Sequence, residues 1–236
     1  MSGWVFKGLE TGIKTTGYPE KTETAPGVSP GFPAASRLES DAAAEKTAAS
    51  CPTQALSTSG SDILVDAGRC VHCFRCAREA EAPVTWEMDY EWGRMEGEPV
   101  RAFSRSLNVF VVDAGDCGAC YAEIKQLNSP YYNMHRLGFF ITPTPRNADL
   151  LLVIGPVTDA MRNPLRKAYD AMPTPKMVMA VGACGCSGGV FGPSFASASG
   201  AENEVPVDIF VPGCPPPPLA ILHGLLASVG KKRGES

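Results

Sequence analysis

Three of the nine cysteines stand in one short loop, Cys70-x2-Cys73-x2-Cys76, and no other feature restricts this chain so tightly. An odd number of cysteines cannot complete a disulfide framework. The chain also does not open with basic residues leading into an apolar core, as a secretory signal would, so a reducing cytosol is expected. Metal ligation is then the leading use of the thiols. Composition narrows the partners. Lys and Arg number 21 against 25 Asp and Glu, a formal charge of −4, which supplies none of the basic field that nucleic-acid binding needs. No apolar run approaches the roughly 20 residues that span a bilayer. The 236 residues suffice for one or two packed domains.

Three thiols at C-x2-C-x2-C spacing wrap three corners of an iron–sulfur cube and leave the fourth corner to a distant cysteine. Cys51, followed by Pro52, is a candidate for that corner. Bacterial ferredoxins use C-x2-C-x2-C-x3-C-P, with the fourth cysteine of each run ligating the other cluster. The segment resembles a two-cluster ferredoxin that has kept one cluster. Counting back from Cys51 puts the missing ligands of one run at Asp41, Ala44 and Thr47, and counting forward from Cys76 puts the missing fourth at Ala80. All four ligands of one cluster are absent and all four of the other remain, so Cys51, Cys70, Cys73 and Cys76 are expected to hold one 4Fe–4S cluster. Four thiolates also suit tetrahedral zinc, but zinc ribbons pair two C-x2-C knuckles. His72, between two of these thiols, is read as an exposed loop residue.

Along the chain, residues 1–34 are rich in Gly, Thr and Pro and read as an extended docking arm. Trp4, Val5, Leu9 and Ile13 are spaced for one apolar helical face. Residues 35–95 form a small ferredoxin-like α+β domain, with a short helix within 35–50. Its acidic, aromatic stretch from Trp86 to Trp92 serves as connection and interface. Residues 96–236 change texture. Apolar runs suited to buried parallel strands occur at Val109–Val112, Leu150–Ile154, Met177–Val181 and Ile209–Val211. Helical candidates Ala119–Leu127, Ala160–Ala171 and Pro218–Val229 lie between and after them. Such alternation predicts an α/β fold, a flavodoxin-like parallel sheet with helices on both faces.

The other thiols follow those strands. Cys117 and Cys120 come after the first, Cys184 after the third and Cys214 after the fourth, each just past a strand's carboxyl end. In an open α/β sheet those ends face one crevice, where ligands bind. Glycines crowd the same loops, among them Gly118, Gly182, Gly189 and Gly213, and permit close approach of backbone N–H groups to cluster sulfurs. No suitably placed histidine supports a catalytic thiol, since His135 and His223 are isolated.

Cys117-x2-Cys120-x2-Glu123, Pro145-Arg146-Asn147-Ala148-Asp149, Gly182-Ala183-Cys184-x-x-Ser187-Gly188-Gly189 and Gly213-Cys214-Pro215-Pro216 together resemble one family. It is the small, electron-transferring subunit of membrane-bound NiFe hydrogenases and formate hydrogenlyase, related to the B subunit of respiratory complex I. The first 95 residues are similar to the polyferredoxin-type subunit of the same complexes, in Gly12-Ile13-Lys14-Thr15-Thr16-Gly17-Tyr18-Pro19 and Gly68-Arg69-Cys70, so the chain looks like a fusion of two neighbouring subunits. The resemblance implies that Cys117, Cys120, Cys184 and Cys214 ligate a second, proximal 4Fe–4S cluster. It also implies that Glu123 is the family glutamate associated with proton movement; the plain alternative is a first-turn helix residue favoured by the dipole. Complex I subunits carry adjacent cysteines where this chain has Cys117-x2-Cys120, which leans toward hydrogenases. Cys186 has no family counterpart and is read as a buried apolar residue, though it could compete with Cys184.

The expected function is a two-cluster relay that passes electrons to or from a catalytic large subunit and is not catalytic alone. Other iron–sulfur and membrane subunits would complete the complex and hold the chain on the inner face of the cell membrane, without nucleic acid. A complex I-like quinone oxidoreductase partner and a non-redox, zinc-stabilised adaptor are the alternatives. Tyr131, Tyr132, Met134, Phe191 and Phe195 serve either a partner interface or the core.

Overall fold

The computed structural model describes residues 3–34, 36–78 and 84–231. Ala80 lies outside these residues. Helix α1 (Gly3–Thr11) opens the chain with no buried residue; Trp4 is 76% and Leu9 75% exposed. The segment after it packs down onto the rest of the chain. Thr16 donates its backbone N–H to the Tyr131 carbonyl, Tyr18 is buried edge-on to Tyr90, and the Tyr90 hydroxyl accepts the Glu23 N–H at 2.8 Å.

A small unit follows, built from β1 (Phe32–Pro33), β2 (Ser36–Arg37), α2 (Asp41–Ala49), β3 (Leu56–Ser59), β4 (Asp62–Val65), α3 (Arg75–Arg78) and β5 (Trp86–Glu87). Strands β2, β4 and β3 make a three-stranded antiparallel sheet, and β1 pairs with β5. Ser40 caps α2 by accepting the Ala43 N–H, with Asp41 in the first turn where the dipole favours it. Ala44 and Thr47 are buried in this helix. Ala44 joins Leu56, Ile63 and Val84 in a separate small core.

The larger unit contains β6 (Arg94–Met95), β7 (Leu107–Asp113), α4 (Ala119–Gln126), β8 (Phe139–Ile141), β9 (Leu150–Ile154), α5 (Asp159–Ala171), β10 (Met177–Val181), α6 (Gly182–Ser187), β11 (Ile209–Val211) and α7 (Pro218–Ser228). Its sheet runs β6-β11-β10-β9-β7-β8, parallel except for β6. Counted along the chain, the five parallel strands lie in the order 2-1-3-4-5 of flavodoxin-like doubly wound sheets, whose order reverses between β7 and β9. Strands β9 and β10 are apolar at every position because both faces are covered. Leu150, Leu152 and Ile154 face a core shared with Ile124 of α4 and Leu222 of α7, while Leu151 and Val153 face Leu165 of α5 on the other side. Among the described residues no helix is long and apolar enough to cross a membrane.

Three of the expected strands have the bounds read from the sequence, and Val109–Val112 extends to Leu107–Asp113. The short strands β6 and β8 have no counterpart in the sequence pattern; two and three residues are too few for a periodic signal.

Helix α7 lies so close to the sheet that a Cβ on Gly224 would stand 2.6 Å from Val211 Cγ2 and 3.1 Å from Met179 Sδ. The Gly224→Ala variant must therefore lift the helix or displace those side chains, at a cost of about 1–3 kcal/mol. The expected result is a lower urea midpoint with an unchanged m-value.

Candidate metal centres

Cys51, Cys70, Cys73 and Cys76 line one cavity, walled by Pro52, Leu56, Phe74 and Trp86. The loop reaches that geometry through left-handed backbone at Gln54, His72 and Phe74, an uncommon conformation for residues with a Cβ. Burial raises the Cys70 thiol to about 12, with the neighbouring thiols adding to the rise while a backbone hydrogen bond from His72 opposes it. Burial also raises Cys76, against the pull of the Trp86 indole. That indole N–H is buried without a closed hydrogen bond. The Ala55 N–H donates to Cys51 Sγ at 3.3 Å.

His72 is not the exposed loop residue expected. It is 8% exposed, enclosed edge-on by Phe32, Trp86 and Trp92. These aromatics come from positions 40 residues before it and 14 and 20 after it, so the loop sequence alone does not show that they close over it. Burial lowers the His72 imidazole to about 4.

The second set comes from three loops past the carboxyl ends of β7, β10 and β11. Between β7 and α4, the Asp113 carboxylate accepts the N–H groups of Gly115 and Asp116, and the Asp116 carboxylate accepts those of Gly118 and Tyr121. These bonds shape the turn that presents exposed Cys117 and buried Cys120. The Ala183 N–H donates to the Gly213 carbonyl at 2.7 Å, tying the β10 loop to the β11 loop. The Cys120 sulfur lies against Gly182, where a Cβ would stand 2.6 Å away, and Cys184 Sγ lies likewise 2.8 Å from a Cβ on Gly189. Only residues without side chains let these backbones approach the sulfurs so closely.

Burial is the first cause of the raised thiols here too. It takes Cys120 above the ordinary range, with Asp116, Cys214, Cys184 and Cys117 adding, and Cys184 to about 11, with Cys214, Cys117 and Asp116 adding. Cys214 rises for the same reasons, with Cys117 and Asp116 as neighbours. In each set, neighbouring thiols thus disfavour one another's ionisation. Among the described residues no group of three or more His, Cys, Asp or Glu is gathered closely enough for a single metal ion.

Cys186 belongs to neither set. Its sulfur lies 3.7 Å from the Ala180 carbonyl and packs against the α5 face of the sheet. Asp149 of the Pro145–Asp149 motif is also remote in role: its carboxylate accepts the backbone and side-chain N–H groups of Asn108, fastening β7 beside β9. Met134 is core, 1% exposed, whereas Phe191 and Phe195 are 61% and 100% exposed. Sequence reasoning missed Trp86 as a wall of the first cavity and Trp92 as a ring packed on His72. Their signal was the aromatic density of 86–92, which does not say what it will pack against.

Residues 117–228 match the family described as the NADH ubiquinone oxidoreductase 20 kDa subunit. That segment begins at Cys117 and contains the whole second set, while the first set lies outside it. Formate hydrogenlyase subunit 7 of Escherichia coli (strain K12) is a relative 40% identical over 148 residues, 63% of this chain; the chain spans 58% of that protein's length. Among solved structures, a chain of the membrane-bound sulfane sulfur reductase, an archaeal respiratory membrane complex, is 29% identical with a TM-score of 0.48. The match covers 55% of this chain and 74% of that one. A chain of an NAD+-reducing NiFe hydrogenase is 20% identical with a TM-score of 0.42, covering 55% and 94%.

Glu123 lies on α4, one turn beyond Cys120, half-buried, and burial holds its carboxyl above the ordinary glutamate value. The unfolded chain therefore gives up this proton first, and the fold loses stability as pH rises through the carboxylate range. Glu123→Gln removes that loss. The Tm advantage of the variant over wild type is expected to widen from acid pH toward neutrality; a pH-independent difference contradicts the burial effect.

Proposed function

We propose that this chain is an electron-transferring subunit of a hydrogenase-type oxidoreductase complex and holds two 4Fe–4S clusters. Cys51, Cys70, Cys73 and Cys76 would hold one, and Cys117, Cys120, Cys184 and Cys214 the other. The observation that carries this reading is the meeting of three sequence-distant thiol loops at the carboxyl edge of a parallel sheet, the edge at which ligands bind. The donor chemistry supports it as well. Buried thiols that disfavour one another's ionisation, with no protein cation among the main causes of their shifts, would ionise together around a positively charged centre. When bound, such clusters take up and release single electrons.

The chain's own part is to hold, shield and tune. The Ala55 N–H on the Cys51 sulfur and backbone hydrogen bonds at His72 and Val190 toward Cys70 and Cys184 favour charged sulfur. Pro52, Leu56, Phe74 and Trp86 give the first site an apolar wall. Gly182 and Gly189 leave room for backbone at the second. Glu123, kept protonated to higher pH than an exposed glutamate, is suited to hold and pass a proton beside that site.

The similarity of residues 117–228 to the NADH ubiquinone oxidoreductase 20 kDa subunit, and of 148 residues of the chain to formate hydrogenlyase subunit 7, supports a place beside a catalytic large subunit. The Cys117-x2-Cys120 spacing favours a hydrogenase-type partner over a quinone-type one. Exposed Tyr121, Phe191 and Phe195 offer that subunit apolar aromatic surface. The first unit, as a fused ferredoxin-like domain, would bring electrons from or to other iron–sulfur subunits, and the whole would lie against the inner face of the membrane through its partners.

Anaerobically purified chain supplied with iron and sulfide is expected to bind about eight of each and to give a paramagnetic resonance signal on reduction. Cys214→Ser and Cys73→Ser should each lower the iron toward about four. Colourless protein containing zinc, or the loss of all iron on either substitution, contradicts two independent clusters.

A further inference from the structure

Two side-chain hydrogen bonds join the first thiol unit to the sheet, and both end beside thiols. Ser187, three residues past Cys184, donates its hydroxyl to the Gly68 carbonyl at 2.8 Å, two residues before Cys70. The same hydroxyl lies 3.1 Å from the Ala183 carbonyl within its own helix. The Trp92 indole donates to the Pro212 carbonyl at 2.7 Å, two residues before Cys214. Its rings also meet the first unit, 6.0 Å from the His72 ring at 88° and 5.0 Å from Phe32.

His72 stands between Cys70 and Cys73, and both its ring nitrogens are buried without hydrogen-bond partners. It therefore acts at this junction as a packed ring. Trp92 is held from behind as well: a Cβ on its neighbour Gly93 would stand 3.1 Å from Gly224 Cα, so the backbone beside the indole is wedged against α7. From Cys70 the chain runs through Arg69 and Gly68, across one hydrogen bond to Ser187, and along α6 to Cys184. From Cys73 it runs through His72, across a ring contact to Trp92, over one hydrogen bond to Pro212, and through Gly213 to Cys214. Electron exchange falls steeply with separation and passes better through bonded, packed atoms than across a gap.

We propose that Trp92 and Ser187 are positioning residues that fix the separation of the two thiol sites and carry the electronic contact between them. This rests on the two-cluster reading above. In the exchange one cluster loses one electron and the other gains it; no bond forms or breaks and no proton moves.

The test uses the full chain reconstituted anaerobically with iron and sulfide, as wild type, W92F, W92L and S187A. Iron per chain reports occupancy. Paramagnetic resonance of the fully reduced protein reports the spin–spin interaction between the sites, and flash reduction reports the rate of electron equilibration between them. W92L and S187A should keep wild-type iron while losing spin–spin broadening and equilibrating more slowly. W92F retains a ring but no donor and should fall between W92L and wild type. Full iron with unchanged broadening and unchanged rate in both W92L and S187A overturns the inference. Wild-type chain with fewer than two clusters overturns the two-cluster reading and this inference with it. Should W92L lose iron by misfolding, S187A and W92F decide by the same readouts.

Discussion

Parallel strands that share a sheet deliver all their carboxyl ends to one edge, and the rest of this molecule is organised around that edge. Three loops leave β7, β10 and β11 there and bring four cysteines spread over almost a hundred residues into mutual electrostatic range. The cost is visible in the sulfurs themselves. Burial and like charge push them away from ionisation, so the sulfurs stay protonated unless something positive sits among them. Apolar cores on both faces of the sheet hold the loops in place.

The first thiol site solves the same problem with much less core. Its small α+β unit buries few large side chains of its own, among them Leu56 and Ile63. An aromatic cover of Phe74, Trp86, Trp92 and Phe32 closes the cysteine loop instead, partly by contact with the sheet unit. The segment from Thr16 to Ser29 reinforces the arrangement, since Tyr18 and Tyr90 enter the main core together and Ser29 donates to the Asp89 carbonyl. Helix α1 stands apart with its apolar residues exposed.

What was legible in the sequence follows from the range of the interactions involved. Leu150–Ile154 and Met177–Val181 declare themselves because a strand covered on both faces must be apolar throughout. Helix α5, whose sequence alternates Met161 and Leu165 with charged positions, is similarly local in origin. The position of Cys117, Cys120, Cys184 and Cys214 past the carboxyl ends of parallel strands was legible because strand direction, a global property, is implied by the alternation of strands and helices. The burial of His72 was not, because it depends on rings supplied from distant segments. The antiparallel edge strand Arg94–Met95 was equally hidden, because two residues paired to Ile209 and Phe210 carry no pattern of their own. The Pro145–Asp149 motif was visible as a motif, but the Asn108 contacts of Asp149 give it a fold-holding role that spacing alone does not reveal.

In the proposed reading, eight thiols divide into two groups around two iron–sulfur centres within one chain. Diffraction from crystals of the anaerobically prepared protein, recorded on either side of the iron absorption edge, tests it most directly. The account requires two separate iron peaks, one ringed by Cys51, Cys70, Cys73 and Cys76 and the other by Cys117, Cys120, Cys184 and Cys214. A single iron peak, an anomalous signal appearing only at the zinc edge, or Cys186 in place of Cys184 beside the second peak would contradict it.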